Sequence, residues 1–228
     1  MAKKPARTKA GSSPAASDRD RIIAAFMELL SEKRFEEIGM AEVAQRAGVS
    51  LAALRDQFPS TLAIYAAHVK KIDRLVLEGG DGDMAEEPPR ERLFDVLMRR
   101  IEALAPYKPA LRSLMRSAMC NPALALAING IAVRSQQWML TAADIDAAGP
   151  KGMVRAQGLA LLFARVLRTF VDDDDEGHAR TMAALDRELA RGARWAGFLD
   201  DLFRFVPPFR SRRRYRDEDR GDEAPAAV

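Results

Sequence analysis

Apolar residues recur along most of this chain at spacings of three and four, the period of one buried helix face. Ile22, Ile23, Phe26, Leu29 and Leu30 make the first such stripe. Ser17 stands before it as an N-cap with Asp20 three residues on, so the pattern predicts a helix from residue 18 to Lys33 or Arg34. A short second helix is expected over Met40 to Ala47. Gly48 then supplies a turn, because a residue without Cβ reaches positive φ cheaply. Ser50 caps a third helix, Leu51 to Gln57, which Pro59 ends, and Ser60 caps a fourth that runs to about Glu78.

The segment GGDGDMAEEPP, Gly79 to Pro89, interrupts the period and marks the domain boundary. Helical spacing then resumes, predicting helices at about 90–105, 109–119, 122–143, 151–171 and 177–203. Breaks fall at Pro106, Asn121-Pro122, Gly149-Pro150 and Asp172–Asp175. No period-two strand pattern and no internal repeat interrupts this. The expected fold is all-α: a helix-turn-helix domain over 17–78 and a larger helical bundle over 88–206. Residues 1–16 form a Lys/Arg/Ser/Pro/Ala tail that cannot bury apolar surface, residues 207–228 are highly charged, and both are expected to be disordered.

Composition narrows the functional classes. At 228 residues the chain has room for one small and one medium domain, and 48% hydrophobic with 30% charged residues is an ordinary globular balance. The net charge of +3 does not by itself announce a nucleic-acid partner. A single cysteine, Cys120, excludes an internal disulfide and suits a reducing cytoplasm. The basic N-terminus lacks an apolar secretory core, and the longest apolar run, Pro122 to Val133, is too short to span a bilayer. A cytoplasmic protein is expected. Catalysis finds no support: His68 and His178 lie on separate helices, no metal-ligand spacing occurs, and Gly-rich phosphate loops are missing. The acidic run Asp172–Asp175 with Glu176 reads as an exposed loop whose last acids favour the next helix N-terminus. No enzyme activity, cofactor or metal is expected.

A helix-turn-helix requires a small residue where its helices cross, a Gly in the turn, and apolar residues that lock the pair. Ala44, Gly48, Val49, Leu54 and Phe58 meet those demands. The stretch AEVAQRAGVSLAALRDQFPS, with its run A-x-x-A-G-V-S followed by F-x-S, resembles the N-terminal domain of the tetracycline-repressor (TetR) family. The likeness reaches back through RIIAAFMELL and covers residues 20–67.

This resemblance implies a homodimeric transcriptional regulator that binds a double-stranded DNA operator, a repressor responding to an apolar small-molecule effector. Its DNA contacts would fall on Gly39, Ser50, Leu51, Ala52, Ala53, Arg55, Gln57 and Thr61. The family usually has a Tyr, a His or Tyr, and a Lys where this chain has Arg55, Gln57 and Thr61. Gly39 replaces a common Thr or Ser, and Arg34 a common Gly. The reading helix is therefore poor in cations, and Asp56 would repel phosphate. Lys70, Lys71 and the tail residues Lys3, Lys4, Arg7 and Lys9 are the available compensation; the tail reads equally as a solubility element.

In the family the last two long helices pair two subunits, and these would be 151–171 and 177–203 here. Gly152, Ala156, Ala160 and Ala164 recur every four residues, a stripe suited to close approach either between subunits or within one. Met98, Met115, Met119, Ile128, Trp138 and Phe163, with Met139 and Leu162, are either pocket residues or plain core.

A second resemblance covers about residues 90–190. The stretches LFDVLMRRIEALAPYKPALRSLM, WMLTAADI and LALLFARVLRTFVDDDDEGHARTMAALDREL are similar to the ubiquinone-biosynthesis accessory lipid-binding family, which shares the TetR-like fold. It implies an isoprenoid-binding protein with peripheral membrane contact. Trp195, Phe198, Leu199, Leu202 and Phe203 share one helix face ahead of Arg210, Arg212, Arg213, Arg214 and Arg216, as a membrane-surface helix would, or as a helix packed on the core would.

Overall fold

The computed structural model describes residues 17–80 and 86–205, and side chains as far as Gly192. Among these residues the chain forms nine α-helices and no strand. They are α1 (Asp18–Glu32), α2 (Met40–Ala47), α3 (Leu51–Gln57), α4 (Thr61–Glu78), α5 (Pro89–Leu104), α6 (Lys108–Cys120), α7 (Pro122–Ala142), α8 (Gly149–Phe170) and α9 (Ala179–Phe205). The fold is all-α, as the periodicity predicts.

Local signals place most helix ends. The Ser17 Oγ accepts the Asp20 N–H at 3.2 Å, Ser50 Oγ the Ala53 N–H at 3.1 Å, and Ser60 Oγ the Ala63 N–H at 3.2 Å. Each satisfies one of the backbone donors that a helix start leaves unpaired.

Three boundaries differ from the periodicity reading. Gly149 and Pro150 do not break a helix; they open α8, where the missing proline N–H has no partner to lose. Pro106 lies in a 3-10 turn, Ala105–Tyr107, that joins α5 directly to α6. Finally, α9 starts at Ala179 rather than 177, because His178 takes φ +53°. Asp173 caps it from outside. Its buried Oδ2 accepts from the Thr181 N–H at 2.8 Å and the Thr181 hydroxyl at 2.6 Å. Asp175 Oδ2 accepts from the Ala179 N–H at 3.0 Å. The acidic run is thus half capping residue and half solvated loop, with Asp172, Asp174 and Asp175 exposed.

Two cores organise the packing. The head core joins Ile22, Phe26 and Leu30 of α1 to Val43, Leu54, Phe58 and Ile64. The body core joins Leu97, Ile101, Met139, Val166, Phe170 and Leu185. They are not separated where the chain crosses between them. Ala110 and Leu114 of α6 and Ile131 of α7 belong to the head core, while Ile72 and Val76 of α4 belong to the body core.

Candidate nucleic-acid interface

The α2–turn–α3 unit is built as the steric argument requires. Gly48 adopts φ +65° and ψ +37°, the left-handed conformation that closes α2. The Val49 N–H donates to the Ala44 carbonyl at 3.0 Å, and Ala44 is buried, so the chain reverses against a small side chain. Leu54 is fully buried and Phe58 nearly so, while Val49 packs half-buried on the same core. Arg19 on α1 holds the far end of α3. Its guanidinium lies 4.4 Å from the Phe58 ring centroid and donates to the Gln57 carbonyl at 3.4 Å.

Once Leu54 is committed to the core, α3 turns Leu51, Ala52, Arg55, Asp56 and Gln57 to solvent; Ala53 is half-buried. Ser50 spends its hydroxyl on capping α3. Thr61 sits half-buried in the first turn of α4. Gly39 is the N-cap of α2; it has no side chain to donate, and a Cβ there would meet nothing within 4 Å.

The charges of the head are nearly balanced. Residues 17–80 carry nine Lys and Arg against ten Asp and Glu. Lys71 pairs with Asp20 at 3.0 Å, Arg46 with Glu32 at 2.8 Å, Arg21 with Asp18 at 2.7 Å, and Lys33 with Glu42. The Ser17 hydroxyl and Lys71 together hold the Asp20 carboxyl below the usual range. Among the described residues of the head, Arg19, Arg55 and Lys70 are exposed and in no ion pair, and Arg19 is engaged with Phe58 and the Gln57 carbonyl. Exposed pairs contribute only about 0–1 kcal/mol each, so little energy holds Lys71 and Arg46 to these carboxylates.

The residues proposed for a ligand pocket are scattered. Met98 and Met115 are half-buried on the body core, Ile128 is half-buried on the head core, and Phe163 is buried. Met139 and Leu162 are core, whereas Met119 and Trp138 are 72% and 57% exposed. An open groove does occur where α7 meets α8, lined by Gln137, Trp138, Thr141, Ile145 and Ala148; of the eight candidate residues it takes only Trp138.

The sequence reading missed a buried polar cluster deeper in the body. Asp73 of α4 pairs with Arg100 of α5, and Ser135 of α7 donates to Asp73 at 2.7 Å. Arg100 also lies 5.5 Å from the Phe163 ring centroid. The nearby His68 is buried edge-on against Tyr107, and desolvation, with Lys71 and Arg100, pushes its pKa down to about 4. Burial pushes Tyr65 up to about 12. A signal was present: Asp73 adjoins Ile72 on α4, and Arg100 adjoins Ile101 and follows Leu97 by three on α5, both on apolar faces.

The stripe on α8 faces inward for most of its length. Gly152, Ala156 and Ala160 are buried, and only Ala164 is exposed. The outward face carries Val154, Gly158 and Leu161 instead. The membrane-helix residues Trp195, Phe198, Leu199, Leu202 and Phe203 lie on the α9 backbone, but their side chains fall outside the described residues, as do Arg210 to Arg216 entirely. No described helix is long and apolar enough to cross a membrane.

Residues 22–67 match the family model of the bacterial regulatory proteins of the tetR family, the stretch that contains α2, the Gly48 turn and α3. The fold is similar to that of a TetR transcriptional regulator from Nitrosomonas europaea, at 20% identity over 78% of this chain and 99% of that one, with a TM-score of 0.61. A TetR transcriptional regulator from Rhodococcus sp. RHA1 aligns at 23% identity over 79% and 97%, with a TM-score of 0.54. A tetR-family regulator from Streptomyces coelicolor aligns at 17% identity over 82% and 86%, with a TM-score of 0.50. No curated protein matches the sequence significantly. These matches lend nothing to the lipid-binding resemblance.

Proposed function

We propose, for a chain whose residues 22–67 carry the N-terminal domain of the tetR family, a DNA-binding transcriptional regulator and not an enzyme. The observation that carries this reading is α3 itself. It is capped, turned and clamped on three sides, while its outward face is committed to nothing among the described residues.

The finer proposal is a homodimeric repressor acting in the cytoplasm. Two copies of α3 would enter successive major grooves of a pseudo-palindromic operator, about 34–36 Å apart. The apolar outward face of α8, with Val154 and Leu161 exposed and Gly158 unobstructed, supports pairing with a second subunit. We further propose that an apolar small molecule bound within the body shifts the spacing of the two heads, with the half-buried Met98 and Met115 yielding to admit it. Such control requires unequal effector affinity for the two arrangements.

Selection of genomic fragments by the purified full-length protein at fixed salt tests the reading. Enrichment of a two-fold symmetric sequence is expected, with Arg55→Ala weakening the enrichment. Retention of random fragments only, unchanged by Arg55→Ala, sinks it.

A further inference from the structure

We propose that Leu51 and Arg55 set the operator's sequence: Arg55 takes a guanine, and Leu51 takes the 5-methyl group of a thymine one or two steps away. This inference rests on the regulator reading above. It begins with an apolar side chain in an odd place. Leu51 is the first residue of α3 and 55% exposed, whereas Leu54, one turn on, is fully buried. A single exposed leucine is unremarkable by itself. What gives this one meaning is its neighbour at the fourth position.

Leu51 and Arg55 stand i,i+4 on α3, so their Cβ atoms lie about 5–6 Å apart on one edge of the helix. Successive base pairs rise about 3.4 Å, so two such side chains span one or two steps. Arg55 is exposed and in no ion pair among the described residues, leaving its donor fork free for the O6 and N7 acceptors that guanine alone presents together in the major groove. Leucine has no polar atom, and the groove feature it can recognise is the thymine methyl.

The neighbours enforce this choice. Ala52 is exposed and short, so nothing on that side holds the backbone away from the bases. Asp56 is exposed one residue beyond Arg55 and repels phosphate, which favours entry by the Leu51–Arg55 edge. The end of α3 cannot swing to another register, since Arg19 holds the Gln57 carbonyl and the Phe58 ring from α1.

The test uses full-length protein and the half-site recovered by selection, with single-atom changes in the DNA. Replacing thymine by uracil removes only the methyl; replacing guanine by 7-deazaguanine removes only N7. At one thymine, uracil is expected to weaken wild-type binding several-fold and to leave Leu51→Ala unchanged. At a guanine one or two steps away, the deaza analogue is expected to cost the wild type about tenfold and Arg55→Ala nothing. Both residues are exposed, so both variants are expected to keep the wild-type helical content, which circular dichroism checks. Wild-type protein that binds its selected site yet tolerates both analogues overturns this assignment and leaves the regulator reading standing. Protein that selects no sequence at all overturns both.

Discussion

The buried hydroxyl of Ser117 accepts the backbone N–H of Phe35 at 3.1 Å, across 82 positions of chain. One turn earlier on α6, Ser113 donates to the Lys33 carbonyl at 2.6 Å. Together they satisfy the backbone where α1 ends and the chain turns toward α2. The same helix reaches the opposite way through Lys108 and Arg112, which donate to the carbonyls of Asp173 and Val171 between α8 and α9. Helix α6 therefore ties the reading head to the corner of the two longest helices. Ser117→Ala would leave the Phe35 N–H without its partner and is expected to cost about 1–3 kcal/mol. Urea unfolding with an unchanged slope measures it; a midpoint identical to the wild type would show that the tie contributes nothing.

The Asp73–Arg100 pair is buried on both sides. Removing one member strands the other charge away from water, so Asp73→Ala is expected to destabilise by about 3–5 kcal/mol. Replacing both, with Asp73→Leu and Arg100→Met, restores apolar contact and is expected to recover most of that loss. Thermal denaturation of the two variants decides. A double variant no more stable than the single one would mean the pair is required for some other reason.

Two helical glycines, Gly152 of α8 and Gly130 of α7, should behave oppositely. A Cβ on Gly152 would lie 2.0 Å from the Ala147 carbonyl carbon, and backbone cannot swing aside as a flexible side chain can. Gly152→Ala is expected to cost about 1–3 kcal/mol or more. Gly130 is exposed with nothing within 4 Å, so Gly130→Ala removes unfolded-state freedom and is expected to stabilise by about 0.5–1 kcal/mol. Melting temperatures that moved the same way for both would contradict this packing of the α7–α8 corner.

His68 makes stability depend on pH. Burial, with Lys71 and Arg100 nearby, lowers its folded pKa to about 4, so between there and the unfolded value near 6.5 the unfolded chain binds the extra proton. Stability contributed by neutral His68 is full above the unfolded pKa and is lost as pH falls toward 4. The loss is about 3 kcal/mol at most. His68→Leu is expected to flatten the slope of unfolding free energy between pH 6.5 and 4 relative to the wild type. Parallel slopes for the two proteins would show that His68 is not the group responsible.

Much of this architecture was legible without coordinates. Stripes at 3.6-residue spacing, caps at Ser17, Ser50 and Ser60, and the left-handed turn at Gly48 involve residues within one or two helical turns of each other. Their physics is local, and the sequence therefore determined the helices, their order and the helix-turn-helix. Tertiary structure alone decided which residues meet across long separations. It put Arg100 against Asp73 and Ser117 against Phe35; it sent Met119 and Trp138 to the surface and Phe163 to the core. Whether a methionine lines a pocket or fills a core, and which acid a cation finds, depends on the angles at which helices pack. Those angles follow from the fit of whole faces, and no window of sequence contains both faces at once.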